Sequence, residues 1–356
     1  MINSEEKAKK IKSNWWRWPL EILFPDKKFD GQLQNPGSEE VFDFDDVIAS
    51  DDIFKLIAEQ IAYYPENDQR ELFAIFIPGL GQPEHESSRR SRRYAETLNT
   101  GIANLNNSSF RKPNPILDRI NPYLDWIDAT IHRLGLSGSP VINNTATLIV
   151  RALDSDTPLH LSSDSHGTIL LSRALSLAKR KFIDKHAAIW NFKRRQSWEL
   201  KWHKCSYQLI RIFNFGNGYK KWVKGPKYIM VSIAGDPLPE KLGITPEEAS
   251  TKDRNDIKFL IFPGLFPKNS FEAHNMMFTT ELLRQTFRKN GLEVGDFVSL
   301  YFLLEQNSLK ISTPEEVLWP QDMKDYVWSP DSLKSIPNYV ETNQFNYFDD
   351  NAIAIC

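Results

Sequence analysis

Ser165, Asp236 and His274 occur in that chain order, and the three residue types together could do acyl-transfer chemistry. A serine hydroxyl is a poor nucleophile at neutral pH. It needs a base within hydrogen-bond reach, and the base needs a buried carboxylate that orients it and stabilises its charged form. In such an arrangement Ser165 attacks a carbonyl, His274 takes and returns the proton, and Asp236 holds the imidazolium. Asp253 and Asp256 are rivals for the acid, but they lie in a charged, loop-like stretch where burial behind a histidine is not expected. His166 is a rival base. A side chain beside the nucleophile at a helix start is expected to pack outward, which leaves His274 preferred. His186 and His203 fall in a basic segment and are poor candidates for catalysis or for a metal.

The elements that must position these residues are legible in part. Pro158 to Ala174 reads PLHLSSDSHGTILLSRA. Leu159, Leu161 and Ser163 alternate with His160, Ser162 and Asp164 as a short buried strand would. From Gly167 the period changes, and Ile169, Leu170, Ala174, Leu175 and Ala178 recur at helical spacing, with Lys179, Arg180 and Lys181 behind them. Ser165 therefore sits where a strand feeds directly into a helix. There the His166 N–H and the first helical turn would face a developing oxyanion. Small residues two before and two after the nucleophile, here Ser163 and Gly167, let strand and helix approach closely. Leu72 to Ile77 (LFAIFI) is a second apolar run of strand length, followed at once by PGLGQP. Gly79, Leu80 and Gly81 are the candidates for the other backbone donor.

Tyr94, Ala95, Leu98, Ile102 and Leu105 keep helical spacing behind Arg89, Arg90, Arg92 and Arg93, arginines that read as a solvated face. Asn106 to Pro122 is loop-rich and shows no strand; Tyr123 to Leu134 and Asn143 to Leu153 read as helices. Tyr207 to Phe215, Lys227 to Ala234 and Ile257 to Phe262 have strand length and composition, and Phe297 to Leu304 is strand-like. The strand ending at Ala234 is followed by Gly235 and Asp236, and His274 stands just ahead of a helix carrying Met276, Met277, Leu282, Leu283 and Phe287. There is no internal repeat.

Composition bounds the partners. With 41% hydrophobic and 25% charged residues the 356-residue chain is that of an ordinary globular protein, and no run of about 18 apolar residues could span a bilayer. A net charge of -2 argues against a dedicated nucleic-acid binder. Cys205 and Cys356 are the only cysteines, so neither a disulfide framework nor zinc-ligand spacing is present; the serine, histidine and aspartate chemistry implies no metal or organic cofactor. The polar first residues lack a signal-peptide apolar region, and a cytoplasmic home is expected. Two segments could instead touch a membrane surface. Lys7, Lys9, Lys10 and Lys12 precede Trp15, Trp16 and Trp18, an arrangement that packing against the domain explains better. Residues 184–204 interleave Lys185, Lys193, Arg194, Arg195, Lys201 and Lys204 with Trp190, Phe192, Trp198 and Trp202. They could form a lid, meet a membrane or acidic partner, or fold as a helical hairpin snorkelling its lysines over the domain. Oligomeric state is not legible.

The blocks FIPGLGQP, LHLSSDSHGTILLSRAL, IRIFNFGNGYKKWVKGPKYIMVSIAGDPLP and FEAHNMM resemble the lipase or esterase-like α/β-hydrolases of bacterial, notably cyanobacterial, genomes, over about residues 72–290. The resemblance implies an α/β fold of the α/β-hydrolase type: a mostly parallel central sheet with helices on both faces, plus N- and C-terminal extensions. On this reading residues 1–70 are an extension packing on the core. Residues 71–305 are the hydrolase domain, with the basic insertion at about 184–204, and 306–356 are a surface tail. The resemblance makes Ser165 nucleophile, Asp236 acid and His274 base, with His166 N–H and Gly79 to Gly81 as oxyanion donors. It implies a small-molecule or lipid ester as substrate. Two positions depart from the family pattern. Asp164 stands where relatives carry histidine, and Ser163 replaces a smaller residue. Asp164 is expected to point to the opposite side of the strand; pointing inward, it would repel the oxyanion and favour a degenerate protein acting by interaction. A peptidase or acyltransferase would use the same triad.

Overall fold

The apolar runs become the central strands of one eight-stranded sheet. In a computed structural model, which describes residues 29–65, 73–79, 84–107, 129–135, 139–264, 271–317 and 319, the strands are β1 (Leu33–Gln34), β2 (Val41–Phe42), β3 (Phe73–Ile77), β4 (Gly101–Leu105), β5 (Leu159–Asp164), β6 (Ile210–Phe215), β7 (Lys227–Ile233) and β8 (Ile257–Phe262). Their order is β2-β1-β4-β3-β5-β6-β7-β8. From β4 to β8 every pairing is parallel, and β1 is antiparallel to both β2 and β4.

The helices are α1 (Phe44–Ile48), α2 (Ile53–Leu56), which runs into a π turn at Ile57–Ile61, α3 (Glu84–Leu98), α4 (Pro140–Asp154), α5 (His166–His186), α6 (Phe192–Leu209), α7 (Pro237–Lys241), α8 (Pro246–Thr251), α9 (Met276–Lys289) and α10 (Phe297–Glu305). Residues 129–134 are also helical. Strand alternation divides the core into two layers. Ile75, Ile77, Leu161, Ile212 and Met230 pack with α4, α5 and α6. On the other face Phe76 stacks on Tyr94 of α3, and Phe213 meets Phe297 of α10. Helices must lie on both faces because the chain reverses direction across the sheet. It leaves β3 through α3 to β4 on one side, then returns through α4 to β5 on the other, and right-handed crossovers of opposite direction fall on opposite faces. The reversal makes the gap between β3 and β5 the topological switch point, where a parallel α/β sheet opens a crevice at its strand carboxyl ends.

Several local expectations change. The helical spacing read through Ile102 and Leu105 breaks at Leu98. Asn99 takes a positive φ of 47°, the left-handed conformation that ends helices, and Gly101–Leu105 is strand β4. Phe297–Glu305 is a helix, capped by Asp296, whose carboxylate accepts from Ser299 N at 3.0 Å. Tyr207 belongs to α6, which persists to Leu209 before β6 begins. Within residues 1–70, Leu33–Gln34 and Val41–Phe42 add two strands to the sheet rather than only covering it.

Residues 184–204 do not lie over Ser165. They form the end of α5, a turn and most of α6. Trp198 and Trp202 pack edge-on against Phe182, far along α5 from its Ser165 end. The segment is a helical hairpin whose turn lies at the far end of α5 from Ser165.

The chain divides into two compact units after Ser312. The first includes residues 306–312, so the expected boundary of a surface tail at 306 moves to 313. They run back along α9, where Asn290 Nδ2 donates to Lys310 O at 2.8 Å and Ser312 N donates to Thr286 Oγ1 at 3.1 Å. In the second, Thr313 N donates to Glu316 Oε2 at 2.9 Å and Trp319 Nε1 to Pro314 O at 3.0 Å. Trp15, Trp16, Trp18, Leu80, Gly81, most of residues 106–128 and residues 320–356 lie outside the described residues. No helix among the described residues is long and apolar enough to cross a membrane.

Candidate active site

Ser165 links β5 to α5 with φ 51° and ψ −120°. An L-residue avoids this region because its Cβ crowds the backbone, so the conformation is strained and must be held by its surroundings. It is. Ser165 N donates to Phe215 O on β6 at 3.1 Å, and Ser165 O accepts from Thr168 Oγ1 at 2.6 Å. Thr168 Oγ1 in turn accepts from Gly218 N at 3.1 Å. Close approach accounts for Gly167: a Cβ there would stand 2.2 Å from Ile77 O and 2.9 Å from Pro78 O, so helix α5 can start against the end of β3 only with glycine at this point. Ser163, where a smaller residue was expected, is buried and donates to Asn214 Oδ1 across the β5–β6 register at 2.5 Å. That partner makes the hydroxyl tolerable inside the sheet.

Asp236 follows β7 and caps α7. Its Oδ1 accepts from Leu238 N at 3.0 Å, and Pro237 occupies the first helical position, where its missing N–H costs nothing. The cap fixes the carboxylate, which meets His274 Nδ1 at 3.1 and 2.9 Å. Asp236 is 1% exposed. A carboxylate can only accept, so Nδ1 carries the hydrogen and Nε2 is the basic nitrogen. His274 closes a 3-10 turn at Phe271–His274, just before Asn275 caps α9 through Met277 N at 3.0 Å. Its ring lies on Gly216, the residue after β6. A Cβ at 216 would fall 2.2 Å from His274 Cε1, and φ there is +54°, so both space and backbone call for glycine.

Ser165 and His274 thus flank the same Phe215–Gly216 corner, one bonded to Phe215 O and the other lying on Gly216. Among the described residues the Ser165 hydroxyl makes no hydrogen bond to His274. The rival acids are at the other end of the sheet. Asp256, just before β8, holds Arg254 through both oxygens at 2.8 and 2.9 Å, and Asp253 accepts from Asn255 Nδ2 at 2.9 Å.

The Gly79 loop reaches Ser165. A Cβ built on Gly79 would be 3.0 Å from Ser165 Cβ and 3.3 Å from Asp164 Oδ2. Asn107 Nδ2 donates to Pro78 O at 3.0 Å, which fixes the Pro78–Gly79 peptide whose N–H is the donor at issue. The second donor, His166 N–H, is one of the first four helical amides that lack an intrahelical acceptor.

Two side chains depart from expectation. His166 is buried rather than outward: its Nδ1 takes a hydrogen from Asn107 Nδ2 at 3.2 Å, and its Nε2 lies 3.2 Å from His132 Nδ1, with the two rings stacked. With Asn107 Nδ2 as donor, His166 is a neutral Nε2–H tautomer, held away from the role of base. Asp164 also turns inward. It is 3% exposed, its Oδ1 has no hydrogen-bond partner among the described residues, and Oδ2 faces Gly79.

Charges in the site are coupled. Burial pushes the Asp164 carboxyl above its ordinary value, against the pull of His274 and Arg90, while Asp236 adds to the rise. For His274, burial pushes the imidazolium down, but the charge and hydrogen bond of Asp236, together with Asp164, outweigh it and leave the ring above its ordinary value; Arg90 opposes them. Arg90, read from the sequence as solvated, thus has its charge felt in the site. Asn107 and His132 were not singled out in the sequence: each is a lone polar residue, and neither has a spacing signal. Among the described residues no cluster of three or more His, Cys, Asp or Glu side chains could hold a metal ion. Compared with known proteins, the chain matches no family model and no curated protein.

Proposed function

We propose that the chain is a serine hydrolase of the α/β-hydrolase fold, an esterase or lipase-like enzyme that cleaves a small-molecule or lipid ester through an acyl-enzyme. The observation that carries the reading is the strained Ser165 at φ 51° and ψ −120°, set beside a buried Asp236–His274 pair at 2.9 Å. The order of parts supports it: a donor loop after β3, the nucleophile after β5, the acid after β7 and the histidine after β8.

In this reaction the Ser165 oxygen bonds to the ester carbonyl carbon as its proton passes to His274 Nε2. The carbonyl oxygen becomes an oxyanion in front of the Gly79 and His166 amides. The alcohol leaves with the proton from His274, and water repeats the sequence to release the acid. Asp236 keeps the Nδ1–H tautomer and stabilises the imidazolium without itself being protonated. Hydrolysis of a short-chain p-nitrophenyl ester tests the reading. Turnover should vanish in Ser165→Ala and fall about 10⁴-fold in Asp236→Asn, the loss measured when a triad acid becomes an amide; activity that survives Ser165→Ala would refute it.

One observation favours a second reading. An inward, buried Asp164 beside the nucleophile opposes a developing oxyanion if ionised, which suits a catalytically degenerate relative acting by interaction. Under that reading the wild-type chain turns over no activated ester, and Asp164→Asn, which removes the opposing charge, restores some turnover.

A further inference from the structure

The α5–α6 turn presents large apolar side chains to solvent. Ile189 is 73% exposed, Trp190 82% and Phe192 80%, and on the outer face of α6 Leu200 is 66% exposed. Single exposed apolar residues are ordinary, but three of this size within four positions are not. The turn is ordered: Asn191 caps α6 by accepting from Arg194 N at 3.1 Å. The buried side of α6 is spent on Trp202, Ser206 and Leu209, so the exposed side has no further role in the core.

Charge surrounds this tip. Residues 185–204 contain six lysines and arginines against one carboxylate, Glu199, in a chain whose net charge is -2. Lys185 and Arg195 are committed to Asp154 and Asp184, and Lys179 to Glu199. Lys193 and Arg194, both exposed and directly beside Phe192, make no ion pair among the described residues.

We propose that the α5–α6 tip docks on an anionic lipid bilayer, with Ile189, Trp190 and Phe192 in the headgroup layer and Lys193 and Arg194 on lipid phosphates and carboxylates. The shape favours lipid over the alternatives. A protruding turn with a tryptophan and a phenylalanine suits insertion at a membrane interface, and the adjacent cations suit a negative surface. A nucleic acid would use the cations but leave the apolar triplet unexplained. The 21 residues of α5 separate the tip from Ser165 by about 30 Å at 1.5 Å per residue. The docked chain therefore keeps the Ser165 crevice away from the lipid, and docking does not depend on Ser165 being a nucleophile.

Co-sedimentation of the full chain with phosphatidylcholine vesicles, with and without phosphatidylserine, tests this. Binding is expected only where phosphatidylserine is present, and Ser165→Ala should bind as wild type does. Trp190→Ala with Phe192→Ala should abolish binding; both side chains are largely exposed, so the fold should persist. Lys193→Gln with Arg194→Gln should weaken binding about thirtyfold, taking roughly 1 kcal/mol per cation at the surface and tenfold per 1.4 kcal/mol. The proposal is overturned if wild type binds neither vesicle, or if the Trp190/Phe192 variant binds unchanged. It is also overturned if gel filtration shows that this variant dissolves a dimer while wild type ignores lipid, which would give the tip to a second copy.

Discussion

Replacing Ser165 by glycine and by alanine separates the backbone of the turn from its chemistry. At an ordinary position glycine is the less stable of the two, by about 0.4–1 kcal/mol through the unfolded chain alone. At φ 51° and ψ −120° the order should invert, because any Cβ is strained there, at a cost of about 1–3 kcal/mol, and glycine is not. Against the midpoint of that range stand the unfolded-chain term and the loss of one partly buried methyl, worth at most about 0.8 kcal/mol. About 0.2–0.8 kcal/mol should remain in favour of Ser165→Gly. Equilibrium urea unfolding reads the difference directly, with Ser165→Ala as reference and neither variant able to form an acyl-enzyme. A higher urea midpoint for Ser165→Gly, at an unchanged slope, is expected. If Ser165→Ala is the more stable, residue 165 is relaxed in solution and the strained-turn reasoning fails.

Two further predictions concern pH. His274 must be neutral to accept the Ser165 proton, and its proton affinity is raised by Asp236 and Asp164 against the effect of burial, so the acid limb of kcat/KM should lie above the ordinary histidine value. Asp164→Asn should move that limb down; an upward shift, or none, would contradict the inward placement of the carboxylate. His160 accepts from Arg211 Nη1 at 3.0 Å, and burial together with that guanidinium lowers its pKa from 6.5 to about 3. The folded state therefore binds less proton than the unfolded one, and the stabilisation is complete above pH 6.5 and lost as pH falls towards 3. By pH 5 the loss should reach about 2 kcal/mol, at 1.36 kcal/mol per pH unit. His160→Gln should remove that part of the acid sensitivity in urea unfolding at pH 5 and pH 7; an unchanged pH dependence would contradict it.

The central strands were legible because each rests on a local signal, and so was the placement of Ser165, Asp236 and His274 at element ends. Phe73–Ile77, Ile257–Phe262 and the run before Asp236 are apolar stretches ended by glycine or proline. Ser165 and His274 stand at changes of period. What was missed depends on contacts across the fold. Ile102 and Leu105 continue the spacing of α3 by coincidence, and only Asn99 and Gly101 hint at the break. Leu33–Gln34 and Val41–Phe42 are two-residue strands whose pairing with each other, and of the first with β4, leaves no periodic trace. Phe297–Glu305 is rich in strand-forming residues, and its helix is specified by Asp296 and by packing on Phe213. The burial of His166 needs Asn107 and His132, which are distant in sequence. The orientation of Asp164 depends on the Gly79 loop after β3, which the alternation of one strand cannot reveal.

The proposed activation of the Ser165 hydroxyl can be read from the intact mass of the folded chain after exposure to a fluorophosphonate. One adduct is expected, mapped to Ser165, absent from Ser165→Ala and slowed in His274→Gln. No adduct on folded wild-type chain, while a control serine hydrolase reacts in the same tube, or an adduct that persists in Ser165→Ala, would contradict it.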